Sequence, residues 1–154
     1  MSVNGQEVKG ALQNGYLSID RRWKKGDVVE IHFDMQPRVV KANDKVAADR
    51  GRVAIERGPL VYCAEWPDND FNISTLLLNR HPKFQLVERP DLLGGINEIT
   101  TRAQALSYDA TGRLATKDVK LTLIPYYAWA HRGEGWMEVW LPIEVGAASA
   151  ELQE

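Results

Sequence analysis

One cysteine, Cys63, stands in 154 residues, which excludes an internal disulfide and any zinc site built on a set of cysteines. No run approaches the ~18 consecutive apolar residues of a membrane-spanning helix. The opening MSVNGQEVKG is polar and lacks the apolar core of a secretory signal, so with Met1 as the natural start the expectation is a cytoplasmic protein. An excess of one charge is missing too. The 19 Lys and Arg against 21 Asp and Glu leave a net charge of −2, no field for nucleic acid. Phosphate loop, dinucleotide fingerprint and nucleophile elbow are all absent. Gly133-x-Gly135 precedes a strand pattern rather than a helix, which argues against phosphate binding there. Amphipathic helices of three turns are absent as well.

What remains is ordinary globular composition, 44% hydrophobic and 26% charged. A chain of this size buries roughly 70% of its unfolded surface and supports a core without metal or disulfide. Its punctuation is that of a β protein. Asn4-Gly5 and Asn14-Gly15 are hairpin signals on either side of Gln6–Gln13. In Tyr16–Asp20, Leu17 and Ile19 share one face. Val28–Phe33 alternates most clearly, with Val29, Ile31 and Phe33 expected inward and Glu30 and His32 outward. Further strands are expected at Pro37–Val40, Gly51–Glu56, Leu60–Ala64, Phe84–Glu88, Ile96–Arg102, Ala103–Ser107, Val119–Ile124 and Met137–Ile143, with a bend or bulge at Gly58-Pro59 and a turn at Asp109–Gly112. The fold class is all-β: a β-sandwich or jelly-roll-like arrangement of about ten short antiparallel strands with little or no helix. Residues 1–145 form this module, with a break between two sub-sandwiches considered near 64–70, and 146–154 form a flexible tail.

The chemistry-bearing residues are scattered. His32, His81 and His131 lie far apart and show no ligand spacing. Cys63 sits mid-strand in LVYCA, where burial as a core residue competes with roles as nucleophile or ligand and is favoured by its apolar setting. Glu65, Asp68, Asp70 and Glu134 could assemble an acid pair, yet nothing local positions them, and a small hydrolase using Glu65 and Glu134 is the weakest reading. Arg50, Arg52 and Arg57 read as surface or interdomain contacts. The densest feature is IPYYAWAHRGEGWMEVW, residues 124–140. There Tyr126, Tyr127, Trp129, His131, Arg132 and Trp136 are candidates either for stacking on sugar rings or for a domain interface.

Three segments, NGYLSIDRRWKKGDVVEI, VKANDKVAADRGRVAIERGPLVYCAE and IPYYAWAHRGEGWMEVWL, resemble the C-terminal part of glycoside hydrolase family 127, the β-L-arabinofuranosidase-like proteins. The resemblance spans most of residues 3–142 and is weak across 66–118. It implies an (α/α)6 barrel carrying the catalytic cysteine, zinc ligands and glutamate, followed by β-sandwich modules. None of those barrel positions falls in this chain, and Cys63 matches the sandwich strand GPLVYC. The resemblance therefore implies a non-catalytic accessory domain, inactive alone, with no catalytic residue, metal or cofactor. Its expected partner is a catalytic barrel domain or subunit. A free-standing carbohydrate-binding module using residues 126–136 is the alternative. In the family a Trp-containing strand precedes the VNG turn, so an open sheet edge is expected at the first hairpin, closed by a second copy in a homodimer.

Overall fold

A computed structural model describes residues 1–149. The chain divides into two compact units, Met1–Met35 and Gln36–Glu154.

The first unit contains β1 (Ser2–Val3), β2 (Gln6–Glu7), β3 (Ala11–Gln13), β4 (Tyr16–Ser18) and β5 (Val29–Glu30). Both Asn-Gly pairs form the expected tight hairpins. Asn4 and Gly5 take φ of 52° and 74°, Asn14 and Gly15 φ of 52° and 82°, the double positive φ that a type I′ turn demands. Strand order is β2-β1-β5, while β3 and β4 pair only with each other, Leu12 opposite Leu17. Asn4 ties the two turns of this sheet together: its amide donates to Asp27 Oδ1 and its carbonyl accepts from the Val28 N–H, both at 2.9 Å. The expected strand at 28–33 is corrected here. Only Val29–Glu30 pairs, and Val29, Ile31 and Phe33 are 42%, 53% and 78% exposed. Their partner β1 is two residues long, and the unit's own elements supply no layer to cover them.

The second unit holds β6 (Pro37–Val40), β7 (Arg52–Arg57), β8 (Leu60–Glu65), β9 (Leu76–Leu78), β10 (Gln85–Arg89), β11 (Ile96–Tyr108), β12 (Leu114–Pro125), β13 (Met137–Glu138), β14 (Leu141–Pro142) and the helix α1 (Val145–Ser149). All pairings are antiparallel, in the order β10-β11-β12-β8-β7-β14, with β6 beside β7, β13 beside β8 and β9 beside β11. The β7–β8 hairpin turns through Gly58-Pro59. Gly58 at φ 57° followed by the fixed negative φ of proline suits a type II′ connection, so the expected bend is a tight turn. The strands expected separately at 96–102 and 103–107 are one 13-residue strand, because β12 pairs with it continuously from Ile99 to Tyr108. Asp109 closes their turn, its Oδ1 accepting from the N–H groups of Thr111 and Arg113 at 2.8 and 3.0 Å.

The sheet curls over its own core, and β14 packs against β9 to close it, giving a sandwich-like, nearly all-β unit. Alternation sorts the side chains. Val53, Ile55, Tyr62, Ala64, Leu76, Leu78, Ile99, Leu121 and Leu123 fill the inside. Cys63, Ile96, Ile124 and Ala128 point to the other face, beneath Leu92, Leu93, Trp129, Met137 and Val139. Strand β8 is therefore buried on both faces, and each side chain of Leu or Ile size buried here contributes about 1.5–3 kcal/mol.

Residues 64–70, where the sequence suggests a break, run inside this unit. Asn69 stitches them to β12: its amide donates to the carbonyls of Glu65 and Thr122 at 2.8 and 3.0 Å, and its Oδ1 accepts from the Thr122 N–H at 2.9 Å. Of the expected tail, residues 146–149 belong to α1, where Ala148 is fully buried, and residues 150–154 lie outside the described residues. Among the described residues no helix is long and apolar enough to cross a membrane.

Candidate functional site

Strands β8 and β12 run antiparallel, Ala64 opposite Leu123 and Tyr62 opposite Pro125, so the chain leaves them in opposite directions; after β12 it folds back along β8 until Ala130, Arg132 and Met137 lie beside Glu65. After β8 the chain makes a 3-10 turn at Trp66–Asp68, and after β12 another at Tyr126–Ala128. Both begin where proline limits the backbone, Pro67 at the first turn and Pro125 before the second.

Glu65 is 2% exposed, a charge that needs full compensation at that depth. Its Oε1 accepts from the Ala130 N–H at 2.8 Å, and its Oε2 accepts from the Arg132 guanidinium. Arg132 also grips Asp68 with both terminal nitrogens, Nη1 donating to Oδ1 at 2.6 Å and Nη2 to Oδ2. Side-chain exposures of 17% for Arg132 and 9% for Asp68 keep water largely out of this pairing. Hydrogen bonding to Asp68, with a smaller contribution from Glu65, outweighs burial and holds the guanidinium above its ordinary pKa. The knot explains a backbone oddity as well. Ala130 takes φ 65°, costly for a residue with a Cβ, and it is the Ala130 N–H that Glu65 holds.

A second fastening is steric. The Trp66 ring lies on the backbone of Gly135, where a Cβ would fall inside the indole, and Gly133 turns beside it at φ 105°. The Trp66 N–H donates to the Trp136 carbonyl at 3.0 Å. Glycine is required at 135 for space and favoured at 133 for conformation.

Upon this rigid base the aromatics divide. Trp129 is half-buried over the Cys63 face, tilted at 34° to Tyr126 with centroids 6.1 Å apart. Tyr126, Tyr127 and Trp136 are 44%, 60% and 67% exposed. His131 is exposed, its Nδ1 lying 3.2 Å from the Ala128 carbonyl. A cleft of about 400 Å³ runs between Glu65, Trp129, Ala130, Gly133, Glu134 and Gly135. The structure thus gathers all six sequence-predicted candidates on one loop, and gives Arg132 and Trp129 internal positions while the other four face outward.

The Glu65 and Asp68 oxygens are occupied by Arg132 and the Ala130 N–H, and Glu134 is the other carboxylate that lines the cleft among the described residues. Cys63 is fully buried, and desolvation first, then the nearby Glu65 and Asp68 charges, push its thiol from 9.0 up to about 12. It is a core residue. Among the described residues no three His, Cys, Asp or Glu side chains gather as a metal-binding group. Arg52 departs from its expected surface role: it reaches Glu138 Oε2 at 3.4 Å, the Trp140 carbonyl at 3.2 Å and the Ala147 carbonyl at 3.0 Å, pinning β7, β13 and α1.

Sequence reasoning missed Trp66, Asn69 and the pairing of Glu65 with Arg132. The signal available was the position of Glu65 at the end of an otherwise apolar strand, where alternation places it indoors.

Comparison with known proteins adds three findings. Residues 37–142 match the family model described as "Glycoside hydrolase family 127 C-terminal domain", and residues 1–35 the one described as "Beta-L-arabinofuranosidase, GH127 middle domain". The chain is 36% identical to a "Non-reducing end beta-L-arabinofuranosidase" of Bifidobacterium longum subsp. longum, over 90% of this chain and 23% of that protein. It superposes with a TM-score of 0.91 and 71% identity on a solved GH127 beta-arabinofuranosidase, covering 95% of this chain and 23% of that one. A GH127 beta-L-arabinofuranosidase from Geobacillus stearothermophilus follows at 0.85 and 39%, covering 92% and 24%.

Proposed function

Because the chain belongs to glycoside hydrolase family 127, and carries its C-terminal domain with a segment of its middle domain, we propose that it is a non-catalytic accessory β-domain supporting an (α/α)6 catalytic barrel. The observation that carries this reading is the loop at 126–136. Its exposed rings are apolar with polar tips, the character of interface anchors, and the Arg132 knot holds them rigid before any partner arrives. A preordered aromatic surface binds without first losing conformational freedom. The chain spans 23% of its curated relative, so a partner of that family's own polypeptide is the natural occupant.

The carbohydrate-binding reading rests on the same exposed rings, Tyr127 and Trp136 above all. Titration with arabinose-containing oligosaccharides, followed by tryptophan fluorescence, separates the two. The scaffold reading expects no saturable change, and a saturable response lost in Trp136→Ala makes the loop a sugar site instead. A homodimer through a sheet edge is the weaker partner reading, since the outer strands β2 and β5 offer two residues each to a second copy.

A further inference from the structure

We propose that the outer face of β10, β11 and β12 binds a carboxylate-bearing oligosaccharide, its carboxylate held by Lys83 and Arg102 and an adjoining sugar ring laid beside Thr122 against Trp66. This goes beyond the accessory role and uses none of the exposed rings of the 126–136 loop.

Alternation builds the floor. With Ile99, Ala103, Leu121 and Leu123 turned into the core, Thr100, Arg102, Lys120 and Thr122 take the outer face. The register sets Thr100 opposite Thr122 and Arg102 opposite Lys120, and Gln85 of β10 lies on the other side of Thr100. Strands β9 and β10 share one edge of β11 and leave a gap in it, because Leu78 pairs with Ala103 and Gln85 with Thr100. A hollow of about 550 Å³ opens at this gap, lined by Asn79, His81, Lys83, Gln85, Thr100 and Arg102. Asn79 Nδ2 donates to the Arg102 carbonyl there at 3.4 Å. The Arg102 N–H leaves the strand on the same side as that carbonyl and faces the gap too. A second hollow of about 500 Å³, whose lining includes Trp66, Asp70, Lys120 and Thr122, adjoins the first across the Thr100–Thr122 and Arg102–Lys120 pairs. Both volumes fall in the range of small-molecule sites.

The linings specify the ligand. The first hollow holds cationic groups and no carboxylate, and His81, Lys83 and Arg102 make no ion pair or side-chain hydrogen bond among the described residues. Arg102 also faces Lys120 across the ladder, a like-charge pairing that costs stability and that a bound anion relieves. Thr100 and Thr122 are only 4% and 7% exposed, yet neither hydroxyl has a partner among the described residues. Buried hydroxyls are normally bonded, so these two are donors and acceptors in waiting, one in each hollow. Trp66 rests on Gly135 and is still 42% exposed, offering an apolar platform to the face of a sugar ring. Asp68 in the second hollow is held by Arg132, while Asp70 can accept from sugar hydroxyls. A lone phosphate or sulfate would satisfy the cations and leave Thr122 and Trp66 unused. A neutral sugar would leave Lys83 and Arg102 unpaired. An acidic saccharide engages both hollows, its carboxylate matched to the planar fork of Arg102.

The test is titration of the nitrogen-15-labelled 154-residue chain with trigalacturonate and, separately, with neutral arabinotriose and with inorganic phosphate. The expected result is a saturable set of shifts with trigalacturonate, centred on the amides of Thr100, Arg102 and Thr122 and the indole N–H of Trp66. Arabinotriose at the same concentrations should leave these signals in place. Lys83→Gln/Arg102→Gln should weaken binding about 10-fold, and Thr100→Val, which removes a hydroxyl at constant shape, about 3-fold. Both variants should keep the amide shifts of β7 and β8, which shows that the sheet stays folded. Absence of a saturable response to trigalacturonate overturns the proposal, as does an equal response to arabinotriose. Phosphate that produces the same shifts and displaces trigalacturonate at equal concentration makes the gap a simple anion site and overturns the saccharide assignment. Shifts confined to residues 126–136 also overturn it and favour the sugar-binding reading of that loop, so the two sites are told apart by one titration.

Discussion

Replacing Arg132 by methionine strikes the one point at which the site and the fold depend on each other. Methionine keeps much of the stem and deletes the guanidinium that two carboxylates share. Glu65 then retains the Ala130 N–H and loses its countercharge at 2% exposure, and Asp68 loses both of its bonds at 9%. Breaking a largely buried ion pair from one side costs about 3–5 kcal/mol, against a total domain stability of about 5–15 kcal/mol. For a unit of this size each kcal/mol lowers the melting temperature by about 4 °C, so a drop of about 12–20 °C is expected. Urea or thermal unfolding followed by tryptophan fluorescence reads it directly, because Trp66 and Trp136 flank the knot. Adding Glu65→Gln removes the stranded charge and keeps an acceptor for Ala130. The double variant should therefore be more stable than the sum of the single losses by about 1–3 kcal/mol. The parent guanidinium is held above its ordinary range, so it stays charged at neutral and mildly alkaline pH and the part of the stability linked to its raised pKa is lost only under strongly alkaline conditions. A methionine variant within about 1 kcal/mol of the parent, or strict additivity in the double variant, would refute the reasoning.

Other expectations test the supporting contacts. Gly135→Ala places a Cβ inside the Trp66 ring and should cost about 1–3 kcal/mol while shifting the tryptophan emission spectrum; an unchanged spectrum would show that the ring does not sit there. Cys63, pushed to about 12 and fully buried, should resist a disulfide reagent at pH 8 until the protein unfolds, since its thiolate is about 1,000-fold rarer than in an ordinary thiol. Because that value is raised in the folded state, stability should be level below about pH 9 and fall as pH climbs toward 12. Melting temperatures of Cys63→Ala measured across the same range should lack that part of the alkaline slope.

The strands of the second unit were legible from alternation in some segments and from short apolar runs bounded by turn residues in others. Residues 119–124 show a period of two, while 52–57 and 60–64 read as short apolar runs on either side of the Gly58-Pro59 turn, and all three sit in the sheet. The boundary at Met35 was not legible, since Met35-Gln36-Pro37 carries no glycine or serine linker to announce it. Val29, Ile31 and Phe33 show what periodicity means physically. It marks a face that requires cover, and the cover need not come from neighbouring residues. Glu65 failed for another reason: a carboxylate reads as surface, and its countercharge lies 67 residues away. The aromatic cluster at 126–136 was visible by composition alone, whereas the division into seated Trp129 and outward Tyr126, Tyr127 and Trp136 depends on the 3-10 turn after Pro125.

The central claim, that this chain contributes structure rather than catalysis, is tested most directly by hydrolysis of an aryl β-L-arabinofuranoside. The purified 154-residue chain alone should release no aryl alcohol above the buffer blank, and Cys63→Ala and Glu134→Gln should match it. Sustained turnover by the chain alone, abolished by either substitution, would contradict the account.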